Sequence, residues 1–336
     1  MPDLPSPPAA LRRRAAADPE SPFLFWPEGW NWRWWSWRQV AEQVDRWRVP
    51  LAGLPPGALV GFAGGAYPDA IPQDLAVQEA GMTAVPVAAG QAGILGEAEA
   101  GSQGEAGEAG SPSEAESPPL EASAQEGGSV SCDAWLELVA GEPSVRQLGA
   151  SAPASRPGGG APGMGSGAVM VAGAGGARCR LASVDVTSAA ARLESAIAAE
   201  GRPWAGDGTA RQILVAGQPL GEWPARLLTT WAILAGAALV LQSDPALRLG
   251  TVRWARPTML HGSAAEIAEL RRQLEGDRQA RRWGRWRRRA RPAFGRLRIL
   301  LQSSEPAASD LTFWRERGAR LMRLSEIGDE PRSGVA

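Results

Sequence analysis

The chain contains no lysine; all 35 of its basic residues are arginine. That excludes a lysine nucleophile, a Schiff base and a phosphate-binding ammonium group. His261 is the one histidine and Tyr67 the one tyrosine. A lone imidazole has no second histidine for a metal site and no obvious nucleophile beside it, so His261 reads as a structural or surface residue. Two cysteines, Cys132 and Cys179, are too few for a disulfide framework, which makes a reducing cytoplasm the expected compartment. No apolar run reaches the roughly 18 residues of a transmembrane helix. The stretch from Met1 to Glu20 is rich in Pro and Ala, with Arg12 to Arg14, and lacks the apolar core of a secretory signal.

What remains is a globular composition, 44% hydrophobic over 336 residues, enough to bury a sizeable core. The net charge of −1 hides two opposed blocks. Residues 90–131 hold eight Glu and no basic residue among Gly, Ala, Ser and Pro, the composition of a disordered acidic loop. Residues 271–298 hold twelve Arg against Glu275 and Asp277, with Trp283 and Trp286 between them. Such a patch would suit nucleic-acid phosphates or an anionic membrane face. The preferred reading is a solvated Arg-rich insertion over 271–292, because charge runs are usually solvated faces.

The organising stretch is Ser36 to Val87. Val40, Val44 and Trp47 recur at helical spacing, and Pro50 with Leu54-Pro55-Pro56-Gly57 ends that helix. Ala58 to Phe62 reads as a buried strand, Leu75, Val77 and Ala80 as a second helix closed by Gly81, and Thr83 to Val87 as a second strand. Strand, crossover and strand predict a parallel βαβ unit. Before it, Phe23 to Trp37 packs in six Trp, with Trp30, Trp32 and Trp34 alternating as in a hairpin strand around Glu28-Gly29. These rings would serve as a stacking platform for bases or sugars, or pack an edge hairpin; packing is the preferred reading. A short helix is expected from Leu11 to Asp18-Pro19.

Further on, Asp133 to Val139 resumes the fold, and Gly149 to Gly167 is a second flexible stretch. Ala168 to Val171, Gln212 to Val215, Gly236 to Leu241, Arg298 to Leu301 and Ala319 to Leu324 read as strands. Val184 to Glu200, Pro224 to Ala235, Ala264 to Leu274 and Ser309 to Gly318 read as helices. The expected class is α/β, with mostly parallel sheets flanked by helices.

The order of these pieces resembles the adenylate-forming enzymes, the AMP-dependent acyl-CoA synthetases and ligases. The matching residues are Ser36-Trp37 with Val40 to Arg46, Pro56-Gly57, Ala76 to Gly81 and Val85-Pro86-Val87. Gly221, Gly236-Ala237, Arg256-Pro257-Thr258 and Gly295-Arg296-Leu297-Arg298 continue the match. The resemblance runs from about residue 20 to 330, roughly the first two-thirds of a synthetase. It implies a flexible N-terminus over 1–20, a first part of the domain over 21–89, the acidic loop over 90–131, the remainder over 132–330 and a tail over 331–336.

The family's catalytic signatures are altered where the resemblance reaches them. The phosphate loop keeps Gly173, Gly175 and Gly176 but no hydroxyl, and Arg178 or Arg180 stands where the family has Lys. Gln218 takes the place of a His; Pro306 survives from the adenine loop without its glycines. Asp329 or Glu330 keeps a carboxylate at the adenylate and magnesium position, without the aromatic and Thr. Everything the family places beyond about residue 330, including its small C-terminal domain with the catalytic Lys, is expected to be absent. No catalytic residue and no metal ligand is therefore assigned. The expected protein is a degenerate, non-catalytic relative keeping an acyl-, nucleotide- or partner-binding surface. ATP or AMP and magnesium would be cofactors only if the family activity survives. The alternatives are an active or split fatty-acid ligase completed by a partner chain, and a basic nucleic-acid or membrane-surface module. Direct nucleic-acid binding is the weaker of these.

Overall fold

Hydroxyl caps and prolines set the first elements. The Ser6 hydroxyl accepts the Ala9 N–H and Pro7 stands at the first helical position, so helix α1 (Pro7–Ala17) begins four residues before the expected Leu11. Strands β1 (Pro22–Glu28) and β2 (Asn31–Ser36) form the expected hairpin, turning at Gly29 with φ +58°. Ser36 then opens α2 (Trp37–Arg48) with a reciprocal box: its hydroxyl accepts the Gln39 N–H at 3.2 Å, and Gln39 Oε1 accepts the Ser36 N–H at 2.8 Å. The computed structural model describes residues 5–29, 31–65, 68–87, 132, 134–139, 142–147, 168–172, 178–199, 212–216, 220–242, 244–282, 296–305 and 307–327. The acidic stretch 90–131, the glycine-rich stretch 149–167 and residues 283–295 of the Arg-rich run lie outside them.

The βαβ unit is present: β3 (Leu59–Ala63), α3 (Ala70–Glu79) and β4 (Thr83–Val87), with Val60 opposite Ala84 in parallel register. β5 (Ala134–Val139) resumes the sheet beside β3. Two strands were not expected. β6 (Glu142–Gln147) has little apolar alternation and is held by antiparallel pairing with β5, Leu136 opposite Val145. β8 (Arg178–Ala182) folds back on β7 (Ala168–Ala172) where a turn was anticipated. These six strands form one sheet, in the order β6-β5-β3-β4-β7-β8.

The second sheet follows α4 (Ser183–Ala199) and comprises β9 (Ile213–Ala216), β10 (Ala238–Leu241), β11 (Met259–Gly262), β12 (Ile299–Gln302) and β13 (Arg320–Arg323). Between them run α5 (Trp223–Ala235), α6 (Arg248–Ala255), α7 (Ala264–Arg282) and α8 (Ala308–Arg315), with the short α9 (Leu324–Ile327) last. α7 extends the helix expected to end at Leu274 into the Arg-rich run. The strand order is β13-β12-β11-β9-β10-β1-β2, parallel throughout except for β2 at the edge. The expected α/β class with mostly parallel sheets holds.

Helices α1 to α5 lie between the two sheets. α2 packs on β1 and β2, α3 on β3 and β4, and α5 on β9 and β10 as well as β7. Alternation along the second sheet sorts its side chains. Leu214, Leu239, Met259, Ile299 and Leu301 join the inner core with Trp231 and Leu227 of α5. Val215, Val240, Leu260 and Leu300 face the outer helices α6 to α8, with Val252, Ile267 and Trp314.

Charged residues cross the inner layer. Arg12 of α1 is gripped by Asp45 of α2 at 2.6 Å and Glu79 of α3 at 2.8 Å. Arg14 donates to the Leu234 carbonyl near the end of α5, at 2.8 Å. Asp74 of α3 and Arg226 of α5 form a buried ion pair, their side chains 6% and 2% exposed. Gln78 donates to Asp74 at 2.7 Å and accepts from Ser183 at 2.9 Å.

The hairpin tryptophans pack. Phe23 stacks on Trp37 with centroids 3.9 Å apart, Trp26 meets Trp35 edge-on at 4.9 Å, and Trp32 stacks on Trp254 of α6 at 4.1 Å. Trp30 lies outside the described residues.

Candidate functional site at the carboxyl ends of the strands

From β9 the chain crosses by α5, on the inner face, to β10. It then crosses by α6, on the outer face, back to β11 on the other side of β9. The loops after β9 and β11 therefore leave in opposite directions and open a crevice at the carboxyl ends, the place where open α/β sheets take ligands. The other sheet meets them there. The Gly64 N–H, just past β3, donates to the Val87 carbonyl at 2.8 Å, and the Gly64 carbonyl accepts the Leu220 N–H of the β9 loop at 3.0 Å.

Polar side chains gather at this edge. His261, in β11, is fully buried, with Nε2 3.0 Å from Ser303 Oγ at the end of β12. Arg248, at the start of α6, is buried and pairs with Glu266 of α7 at 3.0 Å. Its guanidinium lies over Gly262, where a Cβ would stand 2.9 Å from Nη1 and 3.3 Å from Glu266 Oε2. Ser263 and Glu266 cap α7 reciprocally, at 2.7 and 3.3 Å. Gln302 adjoins Gly262 in the β11–β12 ladder and is fully buried. Gln242, after β10, donates to Thr251 at 2.8 Å.

The electrostatics follow from burial. Desolvation, with help from the Arg248 cation, pushes the His261 imidazole down to about 4, so it is neutral at pH 7. Burial works against the Glu266 charge, yet the Ser263 N–H and Arg248 outweigh it and hold the carboxyl below its usual range. Burial, then the negative field of Glu266, pushes Glu222 of the β9 loop upward. Ser303 and His261 have the spacing of a nucleophile and its base. Proton transfer would put an imidazolium beside buried Arg248, which burial and that cation both oppose.

Some polar atoms here have no hydrogen-bond partner among the described residues: His261 Nδ1, Gln302 Oε1 and Nε2, Arg248 Nε and Nη1, and Trp223 Nε1. A buried polar atom without a partner costs about 1–3 kcal/mol. These mostly donor atoms suit a ligand that brings acceptors. No group of three or more metal-ligating side chains occurs among the described residues. An open groove of about 650 Å³ lies elsewhere, between α8 and β13, lined by Glu305, Leu311, Arg315, Arg320 and Arg323. It holds none of the residues clustered at the crevice.

Of the residues singled out in the sequence, Gly173, Gly175, Gly176, Asp329 and Glu330 lie outside the described residues, as does Gln218. The flanks of the glycine turn are placed: β7 is parallel to β4, so the turn leaves from the carboxyl end of its sheet. The Arg178 backbone is the first residue of β8, paired with Ala172. The stretch expected to correspond to the adenine loop is committed elsewhere, since Ser303 meets His261 and Ser304 Oγ accepts the Ala264 N–H of α7 at 3.2 Å. Sequence reading missed Arg248, Glu266, Gln242 and Gln302. A repeated signal pointed to the last two, because Leu239–Ser243 and Ile299–Ser303 both read as three apolar residues followed by Gln-Ser.

Compared by sequence, the chain matches no family model and no curated protein. Solved structures do match it. The N-terminal domain of FACL13 from Mycobacterium tuberculosis aligns with a TM-score of 0.62 at 14% identity, over 95% of this chain and 75% of that one. CmiS6 aligns at 0.62 and 17% identity, over 95% of this chain and 70% of that one. The o-succinylbenzoate CoA synthetase MenE from Bacillus subtilis aligns at 0.55 and 12%, over 93% of this chain and 57% of that one. At such identities the likeness is one of fold: the chain folds as the N-terminal domains of acyl-CoA synthetases and AMP-dependent ligases do.

Proposed function

We propose that this chain is a non-adenylating relative of the acyl-CoA synthetases that keeps a ligand-binding crevice at the carboxyl ends of β9, β11 and β12. The observation that carries this reading is the commitment of the β12 loop. Its two hydroxyls, on Ser303 and Ser304, are tied to His261 and to the start of α7. The composition supports it further. Adenylation needs cations and hydroxyl donors preorganised around the transferring phosphoryl group. This chain has no lysine, and its glycine turn from Gly173 to Arg178 has no hydroxyl.

Among the described residues, the donor set at the crevice is a poor fit to ATP and magnesium. The described residues offer no carboxylate cluster for the metal. The one buried cation among the described residues of the crevice, Arg248, is already paired with Glu266. The residues suit a neutral or acceptor-rich polar head, with the guanidinium of Arg248 and the carboxamide of Gln302 as hydrogen-bond groups. The acyl, nucleotide or partner surface of the resemblance is therefore read here as a binding surface without turnover.

The test has two arms. Pyrophosphate release from ATP is measured with short- to long-chain fatty acids, and calorimetry follows binding of AMP and of the fatty acids. The expected result is no turnover above a boiled control, with ligand heats abolished by Gln302→Leu. Turnover by the chain alone would overturn the reading. Turnover only after a separate C-terminal-domain chain is added would replace it with a split ligase.

A further inference from the structure

The exposed apolar side chains of the described residues are not scattered evenly. Of the five large ones, Val49 (75% exposed) and Val184 (57%) stand on other elements, and the other three are Trp34 at 46%, Leu247 at 52% and Trp254 at 46%. The structure brings these three to one ridge. Trp32 stacks on Trp254 with centroids 4.1 Å apart and planes 5° from parallel. Trp34 stands two residues further along β2 and so shares the Trp32 face. Leu247 immediately precedes α6 and lies seven residues, two helical turns, before Trp254, which puts both on one side of the helix. The ridge runs from α6 across the β2 edge of the second sheet.

We propose that this ridge docks on an anionic lipid bilayer. A contiguous exposed apolar patch marks an interaction surface. Indole rings suit the bilayer interface in particular, with an apolar body and an N–H that stays among the headgroups. The charge beside the ridge matches. α6 carries Arg253 and ends at Arg256, with no acidic residue between Leu247 and Arg256. Basic residues next to an interfacial aromatic anchor are drawn to acidic headgroups. The same chemistry serves single-stranded nucleic acid less well. Trp32 and Trp254 are already in van der Waals contact, which leaves no slot for a base between them, and Leu247 has no π face.

The experiment is vesicle flotation of the full chain. Vesicles of phosphatidylcholine alone are compared with equimolar phosphatidylcholine and phosphatidylglycerol, and single-stranded DNA is run in parallel. The chain is expected to float with the anionic vesicles and not with the neutral ones. The double variant Trp34→Ser/Leu247→Ser, which spares the Trp32–Trp254 stack, should weaken that binding at least about tenfold, since two apolar side chains no longer leave water. Its thermal midpoint should stay near that of the parent. If the double variant does not fold, Trp34→Ser alone carries the test, with a loss of at least about threefold. Equal flotation of parent and variant, no flotation at all, or salt-sensitive DNA binding without flotation would each overturn the proposal.

Discussion

Gly64 is packed against Pro86 with no room for a side chain: a Cβ on the glycine would lie 2.5 Å from the Pro86 Cβ and 3.0 Å from its Cα. Both residues belong to the junction where the two sheets meet, because Gly64 also accepts the Leu220 N–H. The obstacle is backbone and a rigid ring, so it cannot swing aside. Gly64→Ala should therefore destabilise the protein by about 2–3 kcal/mol, as overpacking does. Gly53→Ala, with nothing near its Cβ position, is the control and should change stability by less than about 0.5 kcal/mol. Urea unfolding of the two variants reads the difference directly.

The Asp74–Arg226 pair predicts non-additivity. Arg226→Met strands a buried carboxylate and Asp74→Leu strands a buried guanidinium, each at a cost of about 3–5 kcal/mol. The double replacement removes both charges and should cost far less than the sum. A double-mutant cycle by chemical denaturation measures the coupling, and additive losses would mean that the pair contributes nothing as a pair.

His261 predicts an acid limb. Its imidazole titrates at about 4 in the folded chain, against the ordinary 6.5. Between those values the unfolded chain binds the extra proton. Stability is therefore complete above about pH 6.5 and falls as the pH drops towards 4. From pH 7 to pH 5 the parent should lose about 2 kcal/mol more than His261→Gln. Subtracting the variant removes the other titrating groups, including the raised carboxyls of Asp74 and Glu222. Parallel pH profiles for the two proteins would contradict the assignment.

Ser36 joins hairpin to helix. Ser36→Ala removes the acceptor for the Gln39 N–H and should cost about 1 kcal/mol. Ser36→Asp, which can still accept that bond, should recover most of it. Thermal melts of the two variants decide the point.

Local signals carried much of the fold. The spacing of Val40, Val44 and Trp47, the Gly81 cap and the alternation of Trp32 and Trp34 each identified an element that the structure contains. β6 and β8 were not legible because their strand character comes from partners, β5 and β7, rather than from their own residues. The crevice was harder still. Nothing local separates Arg248 from the other arginines; only the meeting of α6, β11 and α7 makes it a buried cation over Gly262. Gln302 becomes notable once the register sets it beside Gly262. The glycine turn and the carboxylates at 329 and 330 rest on sequence resemblance alone.

The pairing of β1 with β10 fixes a schedule for biosynthesis. Leu24 sits opposite Leu239, so the hairpin made first waits for a strand made more than two hundred residues later. A parallel contact of that span is slow to form, and a ribosome delivers it late. Until then Trp32 has no Trp254 to stack on and the inner edge of β1 has no neighbour. The nascent chain therefore carries its most aromatic segment unsheltered until Leu239 and Trp254 have been made, which makes that hairpin the natural first target for a chaperone.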